Sequence, residues 1–212
     1  MLNVDKVSAD GFIGTAGGDN YEEGNLDTQM IASFGLNVTT LVSNTNTSAS
    51  TEEGVGFGQA FLDFLTSLAN RPVLPQVLSL SLGSLSPHSC ELLCSEAVKR
   101  GQPLAACQAY LQTQRQVCMF MDEAQTARID TALQILGVRG VSVFGSSGDG
   151  GSHWSFEAFD AADPMGAVLN DIGCEFMFPI YPSPSPYMIS VGGTQWQDRD
   201  PSKPEMWDDG GS

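Results

Sequence analysis

Glu23 and Asp27, in the run Glu23-Gly-Asn-Leu-Asp27, are the first side chains whose type and spacing could do chemistry. On a helix, acids four residues apart share one face at about 6 Å. Like charges that close resist simultaneous ionisation, so a proton is shared and one pKa rises, which a general acid or base needs at low pH. Acids at a helix N-terminus also complement the macrodipole, so the pair has a purely structural use as well. Glu22 is excluded by its five-residue spacing to Asp27. The next candidate is Asp149, in Ser146-Ser-Gly-Asp-Gly-Gly151. Its flanking glycines let a substrate backbone approach, and a protonated carboxyl there could donate to a developing oxyanion. A turn-forming Asp accounts for the same letters.

Other chemistries fall by subtraction. His88 and His153 are the only histidines, so a Ser-His-Asp triad with an early helical His cannot be assembled. His153 reads as a loop residue or pocket wall rather than a base. No G-x-S-x-G elbow, G-x-x-x-x-G-K-[ST] phosphate loop or G-x-G-x-x-G fingerprint occurs, which removes the support for dinucleotide and nucleoside triphosphate chemistry. Around Asp149 the acids Asp160 and Asp163 show no calcium-loop spacing.

The elements that must hold these residues alternate. Tyr21 to Phe34 reads as a helix stopped by Gly35, and Val38-Thr-Thr-Leu-Val42 as a strand. Phe57, Ala60, Phe61, Phe64, Leu65 and Leu68 form one apolar helical stripe, closed off by Pro72 and Pro75. Val77 to Leu82 is a strand ending at Gly83, Ala124 to Leu136 a helix terminated by Gly137, and Val141 to Phe144 and Met188 to Val191 are further strands. Strands alternating with helices predict an α/β fold with a mainly parallel sheet and helices on both faces. Ligands then belong at the carboxyl ends of the strands, at Ser81-Leu-Gly83, Ser146-Ser-Gly-Asp-Gly150 and Val191-Gly-Gly-Thr194. Residues 84–127 read as an insertion, residues 151–180 as irregular loop, and Trp207 to Ser212 as turn residues with no closing strand or helix.

The chain has 212 residues and a formal charge of −16, with 9 basic and 25 acidic side chains. The length predicts one domain, or two small ones, with an ordinary core. So few cations, thinly spread, offer no basic stripe for nucleic acid and disfavour an anionic membrane surface. No apolar run approaches the ~18 residues of a membrane span. A carboxylate excess suits a protein that meets low pH.

Cysteines number five, and four of them, Cys90, Cys94, Cys107 and Cys118, crowd one segment. Their spacing lacks the paired C-x2-C signature of zinc, so disulfides formed in an oxidising compartment fit better. Three pairings are open; Cys94 with Cys107 is expected, with Cys174 free or paired elsewhere. Asn37-Val-Thr39 and Asn46-Thr-Ser48 are glycosylation sequons, mild support for secretion. The N-terminus Met1-Leu-Asn-Val-Asp has no signal-peptide character, so in an exported protein it is not the native one.

In order along the chain, these pieces resemble the sedolisin, or serine-carboxyl peptidase, family, and within it the lysosomal tripeptidyl peptidase branch. Glu23-Gly-Asn-Leu-Asp27-Thr-Gln is similar to the family's E-x-x-L-D-x-Q helix, with Gly35-Leu-Asn-Val-Thr39 following at the familiar distance. Phe61 to Pro75 resembles F-L-x-x-L…L-P, and Val77-Leu-Ser-Leu-Ser-Leu-Gly83 resembles V-x-S-x-S-x-G. Phe144-Gly-Ser-Ser-Gly-Asp149-Gly resembles the S-G-D-S-G turn, and Pro182-Ser-Pro-Ser-Pro-Tyr187-Met-Ile-Ser-Val-Gly-Gly-Thr194 the stretch P-A-S-S-P-Y-V-x-x-V-G-G-T. The likeness covers roughly residues 19–83 and 138–196.

The resemblance implies a subtilisin-like doubly wound fold and a peptidase acting at acidic pH, either an endopeptidase or a tripeptidyl peptidase. In such enzymes a Glu replaces the triad His. Carried over, Glu23 would be the general base, Asp27 the carboxylate sharing its proton network, and Asp149 the protonated oxyanion donor. Ser81, Leu82 and Gly83 would pair with the substrate backbone, and Ser147 and Gly148 would line the same substrate site. The family's G-T-S-x-x-x-P nucleophile motif and the calcium loop after it do not occur before Ser212. The resemblance therefore implies a partial catalytic domain, truncated at both ends, without the propeptide and first strand and inactive alone. It implies no metal or cofactor in this chain and calcium in the C-terminal part, a peptide or protein substrate, a monomer, and a secreted, lysosomal or vacuolar location. The cysteine insertion, and the loop near His153, where the tripeptidyl peptidase branch usually has a Cys, put substrate choice in doubt. A non-catalytic sedolisin-like module that binds a protein partner is the alternative.

Overall fold

A computed structural model describes residues 7–11, 22–35, 38–44, 57–114, 117–118, 122–148, 159–176, 178–203 and 205–207. Two compact units divide the chain, Met1–Val55 and Gly56–Ser212.

In the first unit, strand β1 (Val7–Gly11), helix α1 (Glu22–Phe34) and strand β2 (Thr40–Asn44) form one βαβ element. The strands pair in parallel from Val7 opposite Thr40 to Gly11 opposite Asn44. Helix α1 stops where expected, the Gly35 N–H donating to the Ile31 carbonyl at 2.8 Å. Strand β2 starts two residues later than its β-branched run suggested. Strand β1 was not expected at all: Val7-Ser-Ala-Asp-Gly11 alternates apolar and polar residues, but over only five positions with a single β-branched side chain, and its pairing with the distant Thr40–Asn44 segment defines it.

The second unit is built on helix α2 (Phe57–Ala69), strands β3 (Val77–Leu80) and β4 (Ser84–Leu85), helices α3 (Pro87–Lys99), α4 (Leu104–Thr113) and α5 (Glu123–Val138), and strand β5 (Ser142–Ser146). Helix α6 (Pro164–Glu175) and strands β6 (Ile180–Tyr181), β7 (Ile189–Val191), β8 (Thr194–Trp196) and β9 (Glu205–Trp207) complete it. The α/β class with a parallel sheet flanked by helices, expected from the alternation of elements, is the one observed. Strands β3, β5 and β7 lie side by side in that order. Ser79, Phe144 and Ile189 stand opposite one another across the three parallel strands.

Two apolar clusters stabilise this unit. In the first, Phe61, Leu62, Leu65 and Leu68 of α2 meet Ile129, Ala132, Leu133 and Leu136 of α5, with Leu80 and Val143 from the sheet. The periodicity of α2 is thus realised, each fully buried Leu or Ile stabilising by roughly 1.5–3 kcal/mol before entropy is charged. Gly137 does not end α5. The helix continues to Val138, Arg139 caps it, and Gly140 makes the turn at φ +88°. The Arg139 guanidinium also donates to the Ala69 and Arg71 carbonyls, tying the end of α2 to that of α5.

The second cluster gathers Leu93, Cys94 and Ala97 of α3, Cys107 and Leu111 of α4, and Leu169 and Ile172 of α6 around Phe159 and Phe178. Disulfide Cys94–Cys107 cross-links α3 to α4, Cys90–Cys118 ties α3 to the segment after α4, and Cys174 is free and exposed. Helix α6 corrects the expectation of an irregular loop over residues 151–180. Asp163 caps it, its Oδ1 accepting from Met165 N at 2.7 Å and Gly166 N at 3.1 Å, and Pro164 supplies the first helical residue. Gly166 is a packing requirement, because a Cβ there would overlap the Asp160 carbonyl oxygen and stand 2.6 Å from the Tyr110 hydroxyl. The tail is corrected as well: Trp207 belongs to β9, which pairs antiparallel with β8. Residues 208–212 lie outside the described set.

Candidate functional site

The parallel register brings the carboxyl ends of β3, β5 and β7 to one edge of the sheet, Leu80 beside Gly145 and Ser146 beside Val191. The segments Ser81-Leu-Gly83 and Ser147-Gly148 leave from adjacent strands at that edge. The Ser147 N–H donates to the Val191 carbonyl at 2.9 Å, locking the β5 turn to the neighbouring strand.

One side chain joins the two turns. A Cβ built on Gly83 would overlap Ile180 Cγ2 and stand 3.1 Å from the Tyr181 carbonyl oxygen. A Cβ on Gly148 would overlap Ile180 Cδ1 and lie 3.4 Å from its Cγ1. Gly148 is also at φ +96°, a conformation side-chain-bearing residues rarely adopt. Both glycines are therefore dictated by the approach of Ile180. The side chain is half-buried and is presented by β6, which pairs antiparallel with β4, Leu85 opposite Ile180 and Ser84 opposite Tyr181.

Tyr181 anchors that strand from below. Its hydroxyl lies 3.0 Å from both the Thr126 carbonyl oxygen and Asp130 Oδ1, toward which it donates. Burial, and next the Asp130 carboxylate, push its phenol well above the usual tyrosine range. Strand β4 is anchored in turn by Val117, whose carbonyl accepts from Leu85 N at 3.0 Å and from the Ser84 hydroxyl. Val117 adjoins Cys118, so the disulfide to Cys90 secures the segment that holds β4, the pairing partner of β6.

The sequence-predicted residues are distributed as follows. Glu23 lies in the first turn of α1 and Asp27 one turn further, partly exposed. The side chain of Glu23 is outside the described set, as are Asp149 and His153 altogether. Ser81 is exposed, Leu82 packs against the first apolar cluster, and Gly83 faces Ile180. The Ser147 hydroxyl is buried and has no hydrogen-bond partner among the described residues. His88 is exposed, in the first turn of α3. Sequence reasoning missed Ile180, which it left at the end of a loop. The signal available was an apolar pair, Ile180-Tyr181, bracketed by Pro179 and Pro182, but its pairing with β4 across almost a hundred residues has no local signature.

Among the described residues no group of three or more His, Cys, Asp or Glu could hold a metal ion, and no helix is long and apolar enough to cross a membrane. Scans against protein-family models and against curated proteins return no match. Among solved structures the chain is similar to Pseudomonas sedolisin, a serine-carboxyl proteinase complexed with two molecules of pseudo-iodotyrostatin. The two share 20% identity at a TM-score of 0.46, over 90% of this chain and 41% of that one.

Proposed function

We propose that this chain supplies the base and oxyanion side of a serine-carboxyl peptidase that cleaves peptides or proteins at acidic pH. Glu23 is the general base, Asp27 shares its proton, and Asp149 is the protonated donor to the oxyanion. Ser81-Leu-Gly83, Ser147 and Gly148 border the substrate backbone. No G-T-S-x-x-x-P motif occurs in the 212 residues, so this reading requires a nucleophilic serine supplied by other polypeptide. The disulfides and the sequons Asn37-Val-Thr39 and Asn46-Thr-Ser48 suit a glycoprotein of an oxidising, exported route.

The observation that carries this reading is the meeting of two turns, more than sixty residues apart in sequence, at the carboxyl edge of a parallel sheet, where such sheets take their ligands. The buried Ser147 hydroxyl, which has no partner among the described residues, adds to it. A buried polar group left unbonded costs about 1–3 kcal/mol, and a ligand in the groove would offset that cost. For Asp149 to donate, its carboxyl must stay protonated, so activity falls as pH rises through its pKa. The test is cleavage of a peptide at acid pH by a polypeptide that includes the serine. Glu23→Gln and Asp149→Asn should each lower kcat by about 10²–10³-fold. Retention of wild-type turnover by either variant would remove that residue from the mechanism.

A further inference from the structure

We infer that the Cys90–Cys118 disulfide is a thiol-reversible switch on the strand-end turns: closed, it holds β4 and β6 in place, and reduced, it releases them while Cys94–Cys107 stays closed. Any consequence for peptide cleavage rests on the reading above; the switch itself does not.

The two disulfides differ in access. Cys94 and Cys107 are 3% and 0% exposed within the second apolar cluster, whereas Cys90 and Cys118 are only partly buried against it. Thiol–disulfide exchange requires a thiolate to reach one sulfur of the pair. A low-molecular-weight thiol such as glutathione can do so at Cys90–Cys118 and is shut out from the buried pair. Its thiolate attacks one sulfur, the S–S bond breaks, and the other cysteine leaves as a thiolate that takes up a proton. A second glutathione resolves the mixed disulfide, so that two protein thiols form as two glutathione thiols become one disulfide. Oxidised glutathione reverses the exchange.

The contacts from this bond to the turns are continuous. Cys118 follows Val117, whose carbonyl accepts from Leu85 N–H at 3.0 Å and from the Ser84 hydroxyl. Strand β4 consists of those two residues, Ser84 and Leu85, and its partner β6 is equally short. A two-stranded pair of this length is not stable by itself, so it depends on what grips it from outside. Strand β6 in turn presents Ile180, whose Cγ2 and Cδ1 lie where a Cβ on Gly83 or Gly148 would stand. With the disulfide open, Val117 keeps its burial and the turn in which the Val117 and Cys118 N–H groups donate to the Gln114 carbonyl, but loses its covalent tie to α3. A segment held that lightly opens locally before the whole chain unfolds.

The experiment exposes the 212-residue chain to glutathione at neutral pH, traps free thiols by alkylation, and follows amide hydrogen exchange by NMR in the oxidised and the partly reduced chain. Cys90 and Cys118 should become alkylated at least about tenfold faster than Cys94 and Cys107. Opening that bond should speed exchange of the Leu85 amide at least about tenfold and shift the Gly83 and Gly148 resonances, while Ile129 and Leu133 in α5 keep their protection. The Cys90→Ser/Cys118→Ser chain should reproduce the reduced state, and partial reduction of the wild type gives the same readout should that variant fail to fold. Equal reduction of both disulfides would overturn the switch, as would an unchanged Leu85 amide or unshifted Gly83 and Gly148 resonances once Cys90–Cys118 is open. Loss of protection in α5 at the same step would overturn it too, by showing global unfolding. None of these readouts needs a peptide, so a failed cleavage assay leaves them standing and their failure leaves the cleavage assay standing.

Discussion

If Gly83 is glycine because Ile180 occupies the place of its Cβ, then Gly83→Ala should be destabilising, and truncation of Ile180 should cancel the effect. The added methyl would overlap Ile180 Cγ2 and press on the Tyr181 carbonyl at 3.1 Å. Overpacking of this kind costs about 1–3 kcal/mol. Ile180→Ala alone removes three carbons from a half-buried position. It should cost about 1–2 kcal/mol, less than the ~2–5 kcal/mol of a fully buried site. With the overlap relieved, the double variant should be no less stable than Ile180→Ala, which gives a favourable coupling of about 1–3 kcal/mol. Gly148→Ala provides the internal control. It meets the same side chain but also sits at φ +96°, so Ile180→Ala should restore only part of its loss, leaving roughly 1–2 kcal/mol of backbone strain. Urea unfolding of the disulfide-intact chain, followed by circular dichroism and compared at constant slope, reads all five variants. The reasoning is refuted if Gly83→Ala shifts stability by less than about 0.5 kcal/mol, or if its effect simply adds to that of Ile180→Ala.

Two further outcomes are expected. The Tyr181 phenol is raised in the folded chain, so its contribution is complete below the unfolded value of about 10 and is lost as pH climbs above it, at up to about 1.4 kcal/mol per pH unit. Urea midpoints taken between about pH 9 and pH 11 should therefore fall steeply for the wild type and less steeply for Tyr181→Phe; parallel slopes would show that this hydroxyl is not held protonated. Reducing the disulfides should also lower the midpoint. The separations of 13 and 28 residues correspond to about 3 and 3.5 kcal/mol in the chain-entropy description. An unchanged midpoint under reductant, with both thiol pairs shown by alkylation to be free, would contradict that.

Helices α2 and α5 were legible because each needs only its own contiguous residues. Phe61, Leu65 and Leu68, and Ile129, Leu133 and Leu136, recur at helical spacing, and burying those stripes against each other is the simplest use of them. Strands β3, β5 and β7 were legible as short β-branched or apolar runs, and their alternation with helices implied parallel pairing. Helix α6 carried a cap signal in Asp163-Pro164 and a stripe in Met165, Leu169 and Ile172. Gly166 and Gly173 inside it, and the prolines after it, outweighed both in a local reading.

The acids Glu23 and Asp27, the glycines of the strand-end turns and the cysteine cluster are properties of short stretches of chain, and residue type and spacing alone determined them as candidates. Tertiary structure decided what those stretches meet. The pairing of β4 with β6 sets Ile180 between Gly83 and Gly148, and the choice among three cysteine pairings follows from how α3 packs against α4 and the Val117 segment. Propensity and periodicity act over a few residues, whereas the pairing of Leu85 with Ile180 joins segments far apart in sequence, with α3, α4, α5 and α6 between them, and so has no local signature.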